Sequence, residues 1–146
     1  MKKNILRIVL IILILCWMYM VFGFSNAGGE ESTGLSTRIA KIFIKNEVYI
    51  EFAENIIRKL AHLTEYAIGG VLVYSLILTY KLKSKFQFLF SWILVTVYAI
   101  TDEVHQLFIP GRSGRIIDVY IDILGALIGM CGFLMLLKIL EKLRKC

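Results

Sequence analysis

Residues 58–80 read RKLAHLTEYAIGGVLVYSLILTY, and this stretch decides the fold. From Leu60 to Tyr80 it is apolar and long enough to cross a hydrocarbon core as a helix, which takes about 20 residues. Its ionisable residues, Arg58, Lys59, His62 and Glu65, crowd one end. Working outward, three more apolar blocks of similar length cover residues 5–24, 86–108 and 116–137. The expectation is an all-α polytopic membrane protein: four transmembrane helices in one domain spanning residues 1–146. The composition agrees, since 58% of residues are hydrophobic and only 19% are charged, against roughly 25% charged in a soluble domain.

The first block begins like a signal peptide, with Lys2, Lys3 and Arg7 before the apolar run and Ser25-Asn26-Ala27 after it. Its apolar core, Ile8 to Phe24, is long for a signal and close to spanning length, so a retained anchor is expected. Cys16 and Cys131 lie inside apolar blocks and Cys146 ends the chain, a scatter that makes no disulfide framework.

Four spans place the loops on two sides. One side collects the N-terminus, the Lys81–Lys85 turn and the tail: ten basic residues and one acid, Glu141, for a net charge of +9. The other collects seven basic residues and ten acids, a net −3, and the two together give the chain's +6. Lysine and arginine excess marks the cytoplasmic face, so both termini are expected inside. The sequence pI near 9.3 is then a topology signal and gives no reason to expect a nucleic-acid partner.

Residues 25–57 fall on the outer side. Ser25 to Thr33 reads as a turn. A helix capped by Ser36 is expected to start near Thr37. Ile39, Ile42, Phe43, Val48, Ile50, Phe52, Ile56 and Ile57 give a near-helical apolar period opposed by Arg38, Lys41, Lys45, Glu47, Glu51 and Glu54. This predicts an extracytoplasmic amphipathic helical segment between helices 1 and 2, a lid or a brace, running directly into the second span from Phe52.

The polar residues of the spans converge at one depth. Arg58, His62, Glu65 and Gly69 step by four, three and four and share a helix face. Asp102 and Gln106 are one turn apart in the third span, with Glu103 and His105 beside them. Asp118, Asp122, Gly125, Gly129 and Gly132 form one stripe on the fourth, and its Gly-x-x-x-Gly permits close helix approach. Pro110 to Arg115 is a glycine-rich turn able to aim Arg112 and Arg115 over the cluster. Each has a plainer alternative: Lys59, Glu103 and Arg115 as headgroup-level charges, Tyr66 as an interfacial aromatic, Asp122 as a helix-packing polar group, His105 as an interface residue.

The pattern Phe24-Ser25 with Gly29, Arg58-Lys59-x-x-His62-x-x-Glu65-Tyr66, Asp102-Glu103-x-His105-Gln106-x-Phe108-x-Pro110-x-Arg112, and Asp118 with Gly125 resembles the VanZ family over nearly the whole chain. Members often carry asparagine where this chain has Asp122. The resemblance implies a bacterial cytoplasmic-membrane protein linked to low-level resistance to teicoplanin, a glycopeptide. It supplies no biochemical mechanism and no cofactor.

The residues leave several functions open. In the first, an enzyme at the outer surface acts on a lipid-linked or cell-wall-related anionic substrate. His62 or Glu65 serves as acid or base, with Asp102 and Glu103 tuning them. Arg58, Lys59, Tyr66, Gln106, Arg112 and Asp118 hold the ligand, arginine forks suiting phosphate and carboxylate. In the second, the same pocket captures a headgroup or a glycopeptide without turnover. Transport or proton relay fits less well, because the acids stop short of the inner halves of the spans. No serine or cysteine stands beside His62 to act as nucleophile. No metal is assigned, for zincin spacing is absent, although His62, Glu65, Asp102 and His105 are residue types that ligate zinc.

Overall fold

The computed structural model describes residues 2–26, 29–44, 49–112 and 114–145, and among them the chain is helical, with no strand. Five helices follow one another: α1 (Lys2–Asn26), α2 (Gly29–Phe43), α3 (Ile50–Leu78), α4 (Ser84–Gln106) and α5 (Ile116–Lys145). Four of them, α1, α3, α4 and α5, are long and apolar enough to cross a membrane. Their outer surfaces carry large exposed apolar side chains such as Ile8, Leu15, Leu94, Ile100 and Ile128. Such faces are stable against lipid and not against water.

The spans alternate in direction. At one end of the bundle, Arg7 of α1 donates from Nε to Thr79 Oγ1 (2.9 Å) and from Nη2 to the Thr79 carbonyl (2.8 Å), just beyond the end of α3. Its guanidinium also sits over the Tyr80 ring, 4.2 Å from the centroid. At the other end, the last turn of α1 meets the last turn of α4. In between, Trp17, Val21, Tyr66, Val73, Val95, Ala99 and Ala126 form the buried core.

The seam between α3 and α5 is made of small residues. A Cβ on Gly125 would run into the Leu63 backbone, and one on Gly129 into the Ala67 backbone; Gly70 faces Ala126 in the same way. Backbones this close gain dispersion contacts that bulkier residues would forbid, the usual route to helix association without a hydrophobic driving force. Gly132, the last of the predicted stripe, meets nothing and is not part of the seam.

Two boundaries differ from expectation. α2 starts at Gly29, so Ser36 lies within the helix, buried, and does not cap it. Packing decides this: Ala40 of α2 is buried against Ile50 and Ala53 of α3, with Ile44 and Ile57 alongside, and Thr37 Oγ1 donates to Glu54. Tertiary contact of this kind outweighs local turn propensity. α3 starts at Ile50, ten residues ahead of the apolar block, and its 29 residues extend about 43 Å. That exceeds a hydrocarbon core of about 30 Å, so the first turns of α3 project beyond it and supply the surface on which α2 lies. Of the amphipathic period, Lys45, Glu47 and Val48 lie outside the described residues.

Candidate functional site

The site lies at the end of the bundle where α4 stops and α5 begins. It has two parts. The first is a saturated carboxylate. Asp102 of α4, 5% exposed, accepts from Ser25 Oγ at 2.6 Å through Oδ1, and from the Tyr66 hydroxyl at 3.3 Å and Gln106 Nε2 at 3.4 Å through Oδ2. Gln106 Nε2 also reaches Ser25 Oγ at 3.4 Å. One buried acid thus joins α1, α3 and α4. A carboxylate with both oxygens accepting is held rigid.

The second part is unsaturated. His62 of α3, Glu103 of α4 and Asp122 of α5 each offer one donor atom, all within 4.8 Å of one another. His62 Nδ1 lies 3.3 Å from Asp122 Oδ1, near but without hydrogen-bond alignment. Among the described residues, His62 Nδ1, Glu103 Oε1 and both Asp122 carboxylate oxygens are buried with no hydrogen-bond partner. Asp122 is fully buried and Glu103 is 4% exposed. Leaving a buried polar group unmatched costs about 1–3 kcal/mol, more for a charge.

The local structure explains why these three meet. Gly125 lies one turn beyond Asp122, and its lack of a side chain brings α5 against the Leu63 backbone, next to His62. Glu103 is aimed by the α4–α5 connection, where the Arg115 backbone N–H donates to Glu103 Oε2 at 3.0 Å. Gly114 lets that connection close on the Glu103 carbonyl, since a Cβ there would strike it. Gly111, at φ 74°, takes the left-handed turn that L side chains resist.

Around this cluster stand the other predicted residues. Glu65 is half-buried, with the charges of His62, Asp102, Asp122 and Arg112 in its field, and Trp17 Nε1 donates to its backbone carbonyl at 2.9 Å. Arg58 is half-buried and donates to Asn55 Oδ1 at 3.0 Å, one turn earlier on its own helix. Arg112 donates to the Phe24 carbonyl at 2.6 Å, stitching the α4–α5 connection to the end of α1. Burial, then the neighbouring Arg58 charge, lowers the Arg112 pKa, while Asp102, Glu103 and Glu65 pull it up. Asp118 is half-buried in the first turn of α5, and Lys59 and Arg115 are exposed.

The structure sorts the predicted residues into two groups. Asp102, Tyr66 and Gln106 belong to the saturated network and brace the bundle. His105 turns away from it and stacks on Phe22 of α1, ring centroids 4.6 Å apart. Asp122, whose role the sequence leaves open between cluster member and helix-packing group, lies beside His62, with Nδ1 and Oδ1 3.3 Å apart. The signal was present in its depth and its place on the Asp118–Gly125 face, but partners across helices leave no spacing in a sequence.

Four helices long and apolar enough to cross a membrane, packed around a buried histidine–carboxylate cluster, give the fold of a multi-pass membrane protein. The chain belongs to the VanZ/LLP1 family, whose sequence profile matches residues 10–138. No curated protein and no solved structure matches the chain.

Proposed function

We propose that this protein resides in the bacterial cytoplasmic membrane with both termini inside, presents the His62–Glu103–Asp122 end outward, and acts there on an anionic, lipid-linked ligand of the cell envelope, contributing to glycopeptide tolerance. The orientation rests on the segregation of lysine and arginine between the two sides. The observation that carries the reading is the set of buried, unbonded histidine and carboxylate atoms, donors and acceptors available to a ligand. Arg58 and Arg112, close enough to feel each other's charge, supply the attraction for a phosphate or carboxylate. Proton transfer falls to His62 and Glu65, on one face of α3. Capture of a headgroup or glycopeptide without turnover would use the same residues, and the chemistry of the cell separates the two.

The test is genetic and chemical. Teicoplanin tolerance conferred by the wild type is expected to vanish in His62→Ala and in Glu65→Gln at unchanged protein level; tolerance kept by both overturns the site. Lipids and wall precursors of cells carrying wild type and His62→Ala are then compared. A product made only with the wild type supports turnover, and tolerance without any chemical difference supports capture.

A further inference from the structure

We propose that His62, Glu103 and Asp122 bind a divalent transition-metal ion, with zinc the ion they suit best. The inference goes beyond the functional reading above, since it needs no particular organic ligand.

Four observations converge. The three side chains come from three different helices, so their meeting is a product of the fold and not of local sequence. The donor set is one imidazole and two carboxylates, which zinc accepts, and whose two negative charges balance a divalent ion in a low-dielectric site. The 3.3 Å between His62 Nδ1 and Asp122 Oδ1 is the edge of a small coordination polyhedron. Two ligands about 2.1 Å from zinc at the tetrahedral angle stand about 3.4 Å apart. Finally, each of the three residues has a buried donor atom left without a hydrogen bond, and Asp122 is 0% and Glu103 4% exposed.

The surroundings fit the same role. The Arg115 backbone N–H binds Glu103 Oε2, holding the carboxylate while Oε1 stays buried without a hydrogen bond, the kind of outer support metal-bound carboxylates receive. Asp102, by contrast, has both oxygens occupied and is no ligand. Three protein donors leave a coordination position for water or for an oxygen of a bound ligand.

Full-length protein purified in detergent micelles, stripped with chelator and dialysed against zinc chloride, is expected to retain about one zinc per chain, the stoichiometry of a single three-donor site. Asp122→Ala and Glu103→Gln should retain at least tenfold less at equal zinc, with unchanged elution on size exclusion. Wild type retaining no more zinc than Asp122→Ala overturns the proposal. A spectroscopic readout guards against variants that merely unfold. Cobalt-loaded H62C should gain a thiolate-to-cobalt charge-transfer band absent from the cobalt-loaded wild type, and an unchanged spectrum overturns the assignment of His62. The two readings fail separately. Tolerance lost in His62→Ala with no zinc in the wild type removes the metal alone. Zinc bound by the wild type with tolerance intact in both His62→Ala and Glu65→Gln removes the envelope function and leaves the metal site standing.

Discussion

Asp102 and Asp122 are both buried aspartates, and their surroundings differ: one has both oxygens hydrogen-bonded, the other neither. Asp102 ties Ser25, Tyr66 and Gln106 together, so its loss strands three buried donors. Asp102→Ala is expected to destabilise the protein by about 1–2 kcal/mol, read as a lowered melting temperature in detergent. Asp122 has no such bonds, and its carboxylate is a cost to the metal-free fold. Asp122→Asn should therefore leave the melting temperature of chelator-treated protein unchanged or raised, the pattern of a residue kept for function. A fall as large as that of Asp102→Ala would make Asp122 structural. Spacing along α3 made His62 and Glu65 legible in the sequence, because four- and three-residue steps share a face. It did not separate Asp102 from Asp122, because the bonds that occupy Asp102 come mainly from residues 36 and 77 positions away.

At the scale of elements, the α3–α5 seam sets the geometry of the cluster. Gly125→Ala would push its methyl into the Leu63 backbone, which cannot rotate aside as a side chain does. The expected cost is about 1–3 kcal/mol, measured by thermal unfolding, because overpacking forces backbone shifts. Gly132→Ala serves as the control: it meets nothing, and alanine is the better helix former. Equal melting temperatures for the two variants would refute the seam. The Gly-x-x-x-Gly spacing announced a close helix approach, but not that α3 was the partner. The start of α2 was illegible for a related reason. Glycines and serines between residues 28 and 36 spell a turn locally, and burial of Ala40 on α3 overrides them.

For the whole molecule, apolar block length fixed the count of spans, which the helices α1, α3, α4 and α5 match within a few residues except at the start of α3 and the end of α5. α5 runs on to Lys145 because Leu, Lys and Glu favour helix, and Lys145 and Glu141 pair at 2.8 Å on its surface. Charge asymmetry gives the orientation its own check. In a background lacking the native cysteines, a membrane-impermeant maleimide should label E51C on intact cells and leave K83C unlabelled until lysis; both sites are exposed. The reverse pattern would invert the protein. The grip on α1 has a consequence for how the chain is made. Ser25 leaves the ribosome 77 residues ahead of Asp102, and Arg7 precedes Thr79 by 72. The first helix must therefore wait in the bilayer with its polar hooks unmatched while the rest is translated. Nascent chains halted before Asp102 should hold α1 loosely, and it should lock into place only when α4 arrives.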